Sequence, residues 1–344
     1  MIDLSINYMG LKLKNPLIIG SCGLTNSINN IRDFAEKGAG AVVLKSIFEE
    51  QIRVETERFM NSDHEKMKEW NSTFDSIIDQ SPYAYEEAMG YITNFAKEHT
   101  LKEYLSFISE VKKEVDIPVI ASVNCVSKYE WTSFAKRIQD AGADAIELNV
   151  YVLPSDSNRT GTQNEQIYFD IISEVKKHVT IPVSLKIGSY FSGLANLIKT
   201  LSESGPDAIV LFNKPYNPDI DIRNLAVTSS NIFSAEHDYI HSLRWIASLS
   251  DIVSCDLAAS TGIFDAETAI KQLLTGANAF QIASAVYKHG ADIIPEILSG
   301  IEGWMKEHKF NTVEEFKGKL NKSNTEHPMA YDRVQFMKYY SKIE

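Results

Sequence analysis

Four segments of the chain share one phrase, in which a small-residue turn leads into an apolar run that ends in polar residues. They read GAGAVVLKS (38–46), GADAIELNV (142–150), GPDAIVLFN (205–213) and GANAFQIAS (276–284). Four further runs, rich in valine and isoleucine, lie among them: NPLIIGSCG (15–23), DIPVIASVN (116–124), TIPVSLKIG (180–188) and SDIVSCDLAAS (250–260). The pattern therefore predicts eight strands.

Amphipathic segments separate most of these runs and predict helices between the strands, for example NNIRDFAEKG, TSFAKRIQDAG, LIKTLSESG and DAETAIKQLLTGA. Alternating strands and helices indicate a parallel sheet. Strands that are apolar throughout are buried on both faces, as helices covering a parallel sheet require. Eight such units predict an α/β fold, the (β/α)8 TIM barrel.

Three segments lie outside a minimal barrel. LSINYMGLKLKN (4–15) predicts an N-terminal hairpin, and 47–100 is a long aromatic and acidic insertion after the second strand that we interpret as a lid. A polar C-terminal tail occupies 318–344. We therefore expect one barrel domain over 1–317.

The composition narrows the choice of partners. The formal net charge of -12 argues against nucleic acid or an anionic membrane as the main partner, because both carry the same charge. Cys22, Cys125 and Cys255 form no CxxC pair and no Cys/His cluster, which favours reduced thiols and no metal site. No signal-peptide pattern and no run of 18 apolar residues occur, so we expect a soluble cytoplasmic protein.

In a barrel of this kind the active site lies at the C-terminal ends of the strands. Capping a loop is the ordinary role of one asparagine there, but three asparagines converge with two lysines. Because a buried lysine without a partner is costly, the lysines indicate an anionic or electron-rich ligand. The strand ends are Ser21-Cys22-Gly23, Lys45-Ser46, Asn124, Asn149, Lys186, Asn213, Ser260-Thr261-Gly262 and Ala283-Ser284.

The loops after the last two strands, AASTGIFDAETA and IASAVYKHG, are small-residue turns that lead into predicted helices. Backbone N–H groups there, with the hydroxyls of Ser260, Thr261 and Ser284, would hold a phosphate, although ordinary N-caps have the same composition. Two other classes fit these features. One is a Schiff-base synthase or aldolase that uses a desolvated lysine, and the other is a non-catalytic barrel that binds a nucleotide or phosphate.

The strand endings, in this order, resemble those of the dihydroorotate dehydrogenases, flavin mononucleotide (FMN) enzymes of pyrimidine biosynthesis. The phrases that carry the resemblance are NPLIIGSCG, VVLKSIFEE, IELNV, VSLKIGSYF and, most specifically, STGIFDAETAIKQLLTGANAFQIASAVYKHG. The resemblance covers roughly residues 1–315, which is the predicted barrel.

The resemblance implies an FMN-dependent dehydrogenase that moves hydride from dihydroorotate or a related ring to flavin N5. Lys45, Ser46, Asn124 and Asn149 would contact the isoalloxazine, and Lys186 would lie near its N1 side, where positive charge stabilises the reduced anion. Asn149 and Asn213 would also reach the substrate. The other cofactor-binding residues would be Ser21, Cys22, Gly23, Ser260, Thr261, Gly262, Ala283 and Ser284.

The chain departs from the family pattern where a catalytic base is expected. In the family a Cys or Ser lies two or three positions beyond the Asn of strand four. That position is Val152 without a gap and Leu153 with one inserted residue, and neither side chain accepts a proton. The remaining candidates in this loop are Tyr151, Ser155, Asp156 and Ser157.

A second departure lies in the insertion, where EEAMG (86–90) replaces the family's Asn-Ser-Met-Gly and Glu87 would repel a substrate carboxylate. The family's Gly-Gly turn is also altered, near VTSSNIF (227–233). The alternative is therefore an FMN oxidoreductase with a changed substrate. By resemblance we expect a homodimer, with a soluble electron acceptor or a separate electron-transfer subunit.

Overall fold

The computed structural model describes residues 2–48, 100–124, 131–214, 217–229 and 232–332. The strands within these ranges are β1 (Ile6–Tyr8), β2 (Leu11–Leu13), β3 (Leu17–Ile19), β4 (Ala41–Val43), β5 (Ile47–Phe48), β6 (Val119–Asn124), β7 (Ala145–Val150), β8 (Val183–Ile187), β9 (Ala208–Leu211), β10 (Pro218–Asp221), β11 (Ala226–Ser229), β12 (Asp256–Ser260) and β13 (Ala279–Ile282).

Eight of these strands form a closed parallel barrel in the order β3, β4, β6, β7, β8, β9, β12, β13. Closure comes from the pairing of β13 with β3, in which Gln281 lies opposite Ile18. Each of the eight predicted runs contains one barrel strand, so the predicted TIM barrel is confirmed. The short strand β5 adds a further parallel pairing to β6.

Helices surround the barrel and bury one face against it. In the helix Leu194–Ser202, for example, the buried side chains are Leu194, Leu197, Ile198 and Leu201, at the spacing of one helical face. The described helices are Ile28–Glu36, 100–114, Trp131–Asp140, Gly161–Lys176, Leu194–Ser202, Tyr239–Leu249, Ala266–Leu274, Ser284–His289, Ile293–His308 and Met329–Asp332.

The glycines of the four repeated phrases end helices. Gly38, Gly142, Gly205 and Gly276 have φ values of 106°, 99°, 115° and 110°, a left-handed conformation that a side chain disfavours. Gly38 and Gly276 directly follow the C-caps of their helices, and the next amide in each case bonds back to a carbonyl five residues earlier. The repeat is therefore a helix stop followed by a strand start.

The third residue of three phrases joins its own strand to the preceding one. Asp207 donates its N–H to the Val183 carbonyl at 2.8 Å, and its Oδ2 accepts the Val183 N–H at 2.7 Å. Lys176 also contacts this carboxylate at 2.8 Å. Equivalent pairs of hydrogen bonds join Asp144 to Val119 and Asn278 to Leu257.

The predicted N-terminal hairpin is confirmed and lies at the N-terminal end of the barrel. β1 and β2 pair antiparallel, and the Met9 N–H donates to Asp256 Oδ2 at 2.7 Å, at the start of β12. Tyr8 and Leu13 are fully buried there.

The insertion 47–100 lies outside the described residues apart from β5 and residue 100. Of the polar tail, residues 318–332 are described, and the Lys322 N–H donates to Ala247.

We predict that Asp207→Ala lowers the free energy of unfolding by about 1–3 kcal/mol, because the Val183 N–H loses its acceptor. Asp207→Asn keeps an acceptor oxygen and loses only the ion pair with Lys176. That pair is one-third exposed, so the expected cost is below about 1 kcal/mol. Urea denaturation of both variants measures the difference. If both variants lose the same free energy of unfolding, the stabilisation comes from the ion pair with Lys176 and not from the hydrogen bond to the Val183 N–H.

Candidate active site

A cavity of about 440 Å³ opens at the C-terminal ends of β3, β8, β9, β12 and β13. Its volume falls in the range of small-molecule sites in proteins. The site residues inferred from the sequence that line it are Ser21, Cys22, Gly23, Lys186, Asn213, Ser260, Thr261, Gly262, Ala283 and Ser284.

Two side chains that are hydrogen bonded across the barrel interior form the floor of the cavity. Lys186 Nζ donates to Gln281 Oε1 at 2.7 Å, and both residues are buried. β8 and β13 are not neighbours, since β9 and β12 lie between them, so this bond spans the interior. Gln281 Nε2 in turn donates to Glu147 Oε2 at 2.5 Å. A cationic side chain is therefore held at the bottom of the cavity.

Asn149 and Asn213, the polar ends of β7 and β9, bind each other. Asn213 Nδ2 donates to Asn149 Oδ1 at 2.9 Å, and the Asn213 N–H donates to the Ile187 carbonyl at 2.8 Å. Asn149 is paired with Lys186 in the register of β7 and β8. The two amides therefore lie near the level of the lysine, and Asn213 lines the cavity while Asn149 does not.

Three serines join the ends of β3, β4 and β6. The Ser46 Oγ lies 2.7 Å from Ser122 Oγ and 3.0 Å from Ser21 Oγ, which also accepts the Ser46 N–H at 2.9 Å. Lys45 is half-buried next to them and is not among the residues that line the cavity. Asn124 ends β6, where it is paired with Phe48 of β5.

The loop after β12 makes a tight turn at the cavity wall. Thr261 and Gly262 both have left-handed φ values, 79° and 78°. A Cβ at Gly262 would lie 2.2 Å from the Tyr239 backbone nitrogen, so no larger residue fits there without a shift of the backbone. The Thr261 Oγ1 donates to the Phe212 carbonyl at 3.0 Å, which fixes this loop to the end of β9.

The loop after β13 leads directly into the helix Ser284–His289. Ser284 Oγ accepts hydrogen bonds from the Ser234 N–H at 3.0 Å and from the Ser234 hydroxyl at 2.8 Å. Lys288 lies close by, with its Nζ 3.3 Å from the Ser234 carbonyl and 4.4 Å from the centre of the Phe264 ring. This end of the cavity therefore combines hydroxyls and backbone amides, and Lys288 lies behind it without lining the cavity.

The loop after β7 contains the residues considered as bases. The Val152 N–H donates to the Tyr168 hydroxyl at 3.1 Å, while Leu153 and Ser155 are exposed. The Tyr151 ring lies against Gly188, where a Cβ would be 3.0 Å from it, and both residues are two positions beyond the Asn149–Lys186 pair. Partial burial, and then the neighbouring Tyr190 hydroxyl, raise the pKa of Tyr151. Tyr151 therefore stays a protonated phenol at neutral pH.

Sequence reasoning missed two buried polar residues of this site, Glu147 and Gln281. Both were visible as charged or amide side chains within apolar strands, in AIELN and AFQIAS. Both lie inside their strands and not at the polar ends, so the pattern of strand ends does not include them. Glu87 and Cys125 lie outside the described residues.

In the described ranges no cluster of three or more His, Cys, Asp or Glu side chains could hold a metal ion. Those same ranges contain no helix of sufficient length and apolarity to span a bilayer.

A closed parallel barrel with a polar cavity at the C-terminal strand ends defines a TIM-barrel protein with a small-molecule site. The family model for dihydroorotate dehydrogenase matches residues 86–305. The chain belongs to the dihydroorotate dehydrogenase family, so the resemblance seen in the sequence is confirmed.

Relatives cover nearly the whole chain at modest identity. The dihydroorotate dehydrogenase B (NAD(+)) catalytic subunit of Thermoplasma volcanium is 27% identical over 92% of this chain and 98% of its own length. The corresponding subunit of Pyrococcus abyssi is 28% identical over 92% and 98%. The NAD-dependent dihydropyrimidine dehydrogenase subunit PreA of Escherichia coli K12 is 24% identical over 93% of this chain and 77% of its own length. These similarities support a dehydrogenase like those of this family.

We predict that Ser46→Ala lowers the free energy of unfolding by about 1–3 kcal/mol, because the fully buried Ser122 hydroxyl loses its partner. The matched control is Ser248→Ala, whose hydroxyl bonds only within its own helix, with an expected change within about 0.5 kcal/mol. Thermal and urea denaturation measure both. A loss in Ser46→Ala no larger than in the control would mean that the serine chain does not join these strand ends.

Proposed function

We propose that the chain is an FMN-dependent oxidoreductase that acts on the carbon–carbon bond of a dihydropyrimidine ring such as dihydroorotate. The observation that carries this proposal is the shared cavity of Lys186 and the two small-residue turns after β12 and β13. A cation at one end suits an electron-rich ring, and hydroxyls with backbone amides at the other end suit a phosphate.

The residues present fit FMN. Lys186 donates one of its three N–H groups to Gln281, so two donors remain for a ligand in the cavity. Lys186 and Asn213 would hold the ring system, while Ser260, Gly262 and Ser284 line the part of the cavity where the phosphate would lie. When bound there, FMN supplies a two-electron acceptor for hydride. The protein's own contribution is then to orient the ring and to exclude water from the closed end of the barrel.

The substrate class is proposed from the names of the relatives. Dihydroorotate and dihydropyrimidine are both six-membered rings with a saturated C5–C6 bond, so a ring of that kind is common to both. Asn213 would bind its polar edge, since it lines the cavity with Lys186, and Asn149 would act with it, since the two amides are hydrogen bonded. Lys45 would add positive charge from the end of β4.

A second candidate is the opposite direction, reduction of a pyrimidine ring. The observation that favours it is Tyr151, since the raised pKa keeps this phenol protonated at neutral pH, as a proton donor to a developing carbanion must be. Oxidation needs a base, and among the described residues of the loop after β7 neither Val152 nor Leu153 can serve. Reduction needs an acid, which Tyr151 provides.

Anaerobic titration of the purified protein distinguishes these functions. We expect a yellow protein, or one that becomes yellow on uptake of added FMN. If dihydroorotate bleaches the flavin, oxidation is supported. If dihydroorotate does not bleach the flavin but orotate or uracil reoxidises the chemically reduced protein, the second candidate is supported. Protein that binds no FMN would contradict both and favour a non-catalytic phosphate-binding barrel, while borohydride trapping of a carbonyl compound on Lys45 or Lys186 would favour an aldolase.

We also propose that the chain forms a homodimer through the hairpin of β10 and β11. Ile220 and Val227 are paired across this hairpin, and Ile222 and Leu225 in its turn are 80% and 89% exposed. An isolated two-stranded hairpin is marginally stable in water. A second copy fits, because the Ile220 and Val227 side chains carry no charge while Asp219 alternates to the opposite face. A separate electron-transfer subunit would then use another surface.

We predict that Leu225→Asp converts the dimer to a monomer. In the dimer the introduced carboxylate would be buried between two copies of the hairpin, and burying an unpaired charge is costly. Light scattering coupled to size-exclusion chromatography measures the mass. The matched control is Asp219→Ala on the opposite face of the hairpin, which should leave the dimer intact. A monomeric wild-type protein, or an unchanged mass for Leu225→Asp, would contradict the proposal.

A further inference from the structure

The chain of side chains below the cavity has a fixed direction. A lysine ammonium only donates hydrogen bonds, so Gln281 must present its oxygen to Lys186. Its NH2 group then faces Glu147, whose carboxylate only accepts. Gln281 therefore connects the cation to the anion and holds each in one position.

Glu147 is the least exposed charged group of this chain of residues. Its side chain is 1% exposed, and its Oε1 lies 3.8 Å from Lys186 Nζ. Within the described residues this oxygen has no hydrogen-bond partner. A buried carboxylate is costly unless a cation compensates it. The Lys186 ammonium therefore compensates the negative charge of the buried Glu147 carboxylate, and the carboxylate compensates the positive charge of the ammonium.

Few other groups can alter this balance. Tyr8 approaches from the hairpin and Tyr104 from the helix 100–114, and burial raises the pKa of both phenols far above neutrality. They stay neutral in any ordinary buffer. The other described cation lining the cavity, Lys214, lies 3.5 Å from Asp238. The electrostatic potential at the floor of the cavity is therefore dominated by Lys186 and Glu147.

We propose that Glu147 and Gln281 are positioning residues for Lys186. They hold its ammonium at the cavity floor, and Glu147 offsets part of its positive charge there. This inference rests on the proposed function in one respect: when FMN is bound, Glu147 makes its reduction potential lower than Lys186 alone would. The charge near the ring, and with it the ease of reduction, is thus set by a residue that the ring does not touch.

Glu147→Gln tests the proposal with little change in shape, since the new amide oxygen can still accept from Gln281. The first readout needs no flavin. Reductive methylation of flavin-free protein at pH 8, with the Lys186 peptide quantified by mass spectrometry, measures how readily the ammonium releases its proton. We expect the rate at Lys186 to rise about tenfold in Glu147→Gln, because the compensating anion is gone.

The second readout is the midpoint potential of bound FMN at pH 6, where the lysine is protonated in both proteins. We expect a shift to a more positive value in Glu147→Gln and to a more negative value in Lys186→Met. Gln281→Leu should loosen Lys186 and weaken FMN binding, measured by fluorescence titration. The matched control is Ser184→Ala, because Ser184 is paired with Glu147 in the barrel register and is equally buried, but its hydroxyl donates to the Ile146 carbonyl.

The outcomes separate the inference from the function it builds on. Unchanged methylation of Lys186 in Glu147→Gln overturns the positioning role whether or not the protein binds FMN. Faster methylation with an unchanged potential overturns the control of the flavin. Failure of the wild-type protein to bind FMN overturns the proposed function, and the methylation rates still decide the positioning role. If Ser184→Ala changes the methylation rate and the potential as much as Glu147→Gln does, both changes come from general loosening of the barrel, and the positioning role is overturned.

Discussion

The interaction on which the rest of the structure depends is the closure of the barrel between β13 and β3. Closure turns one face of the parallel sheet inward, where water is excluded and each polar side chain must find a partner. It also brings Gln281 across the interior to within hydrogen-bonding distance of both Lys186 and Glu147. A cavity with a cation at its floor is therefore a consequence of closing the sheet.

The two ends of the barrel have different tasks. At the N-terminal end, Asp144, Asp207 and Asn278 bind backbone groups at the start of the preceding strand, and the hairpin of β1 and β2 contacts the start of β12. Those contacts hold the strands in register. At the C-terminal end the strands lead into irregular loops, which can carry chemistry because the other end supplies the stability.

The loop after β7 is where the chain differs from its family. Its backbone is held by the Tyr168 hydroxyl, and the family's thiol or hydroxyl is replaced by an apolar side chain, with Tyr151 beside it over Gly188. Lys186 and Asn213, two of the residues expected from the family resemblance, line the cavity. Under the proposed function this loop lies on the side from which a substrate proton would come or go, and the family assignment does not depend on it.

The sequence by itself determined the barrel and most of the cavity wall. The repeated phrases that begin with glycine and the apolar strands are local signals, since a helix stop, a strand start and burial on both faces each leave a mark within a few residues. Even the order of polar strand ends was sufficient to indicate a shared site. Only the tertiary structure decided which of these ends meet one cavity, as Lys186 and Asn213 do, and which bind each other, as Ser21 and Ser46 do. The link from Glu147 through Gln281 to Lys186 joins residues up to 134 positions apart, and such contacts exist only once the sheet closes.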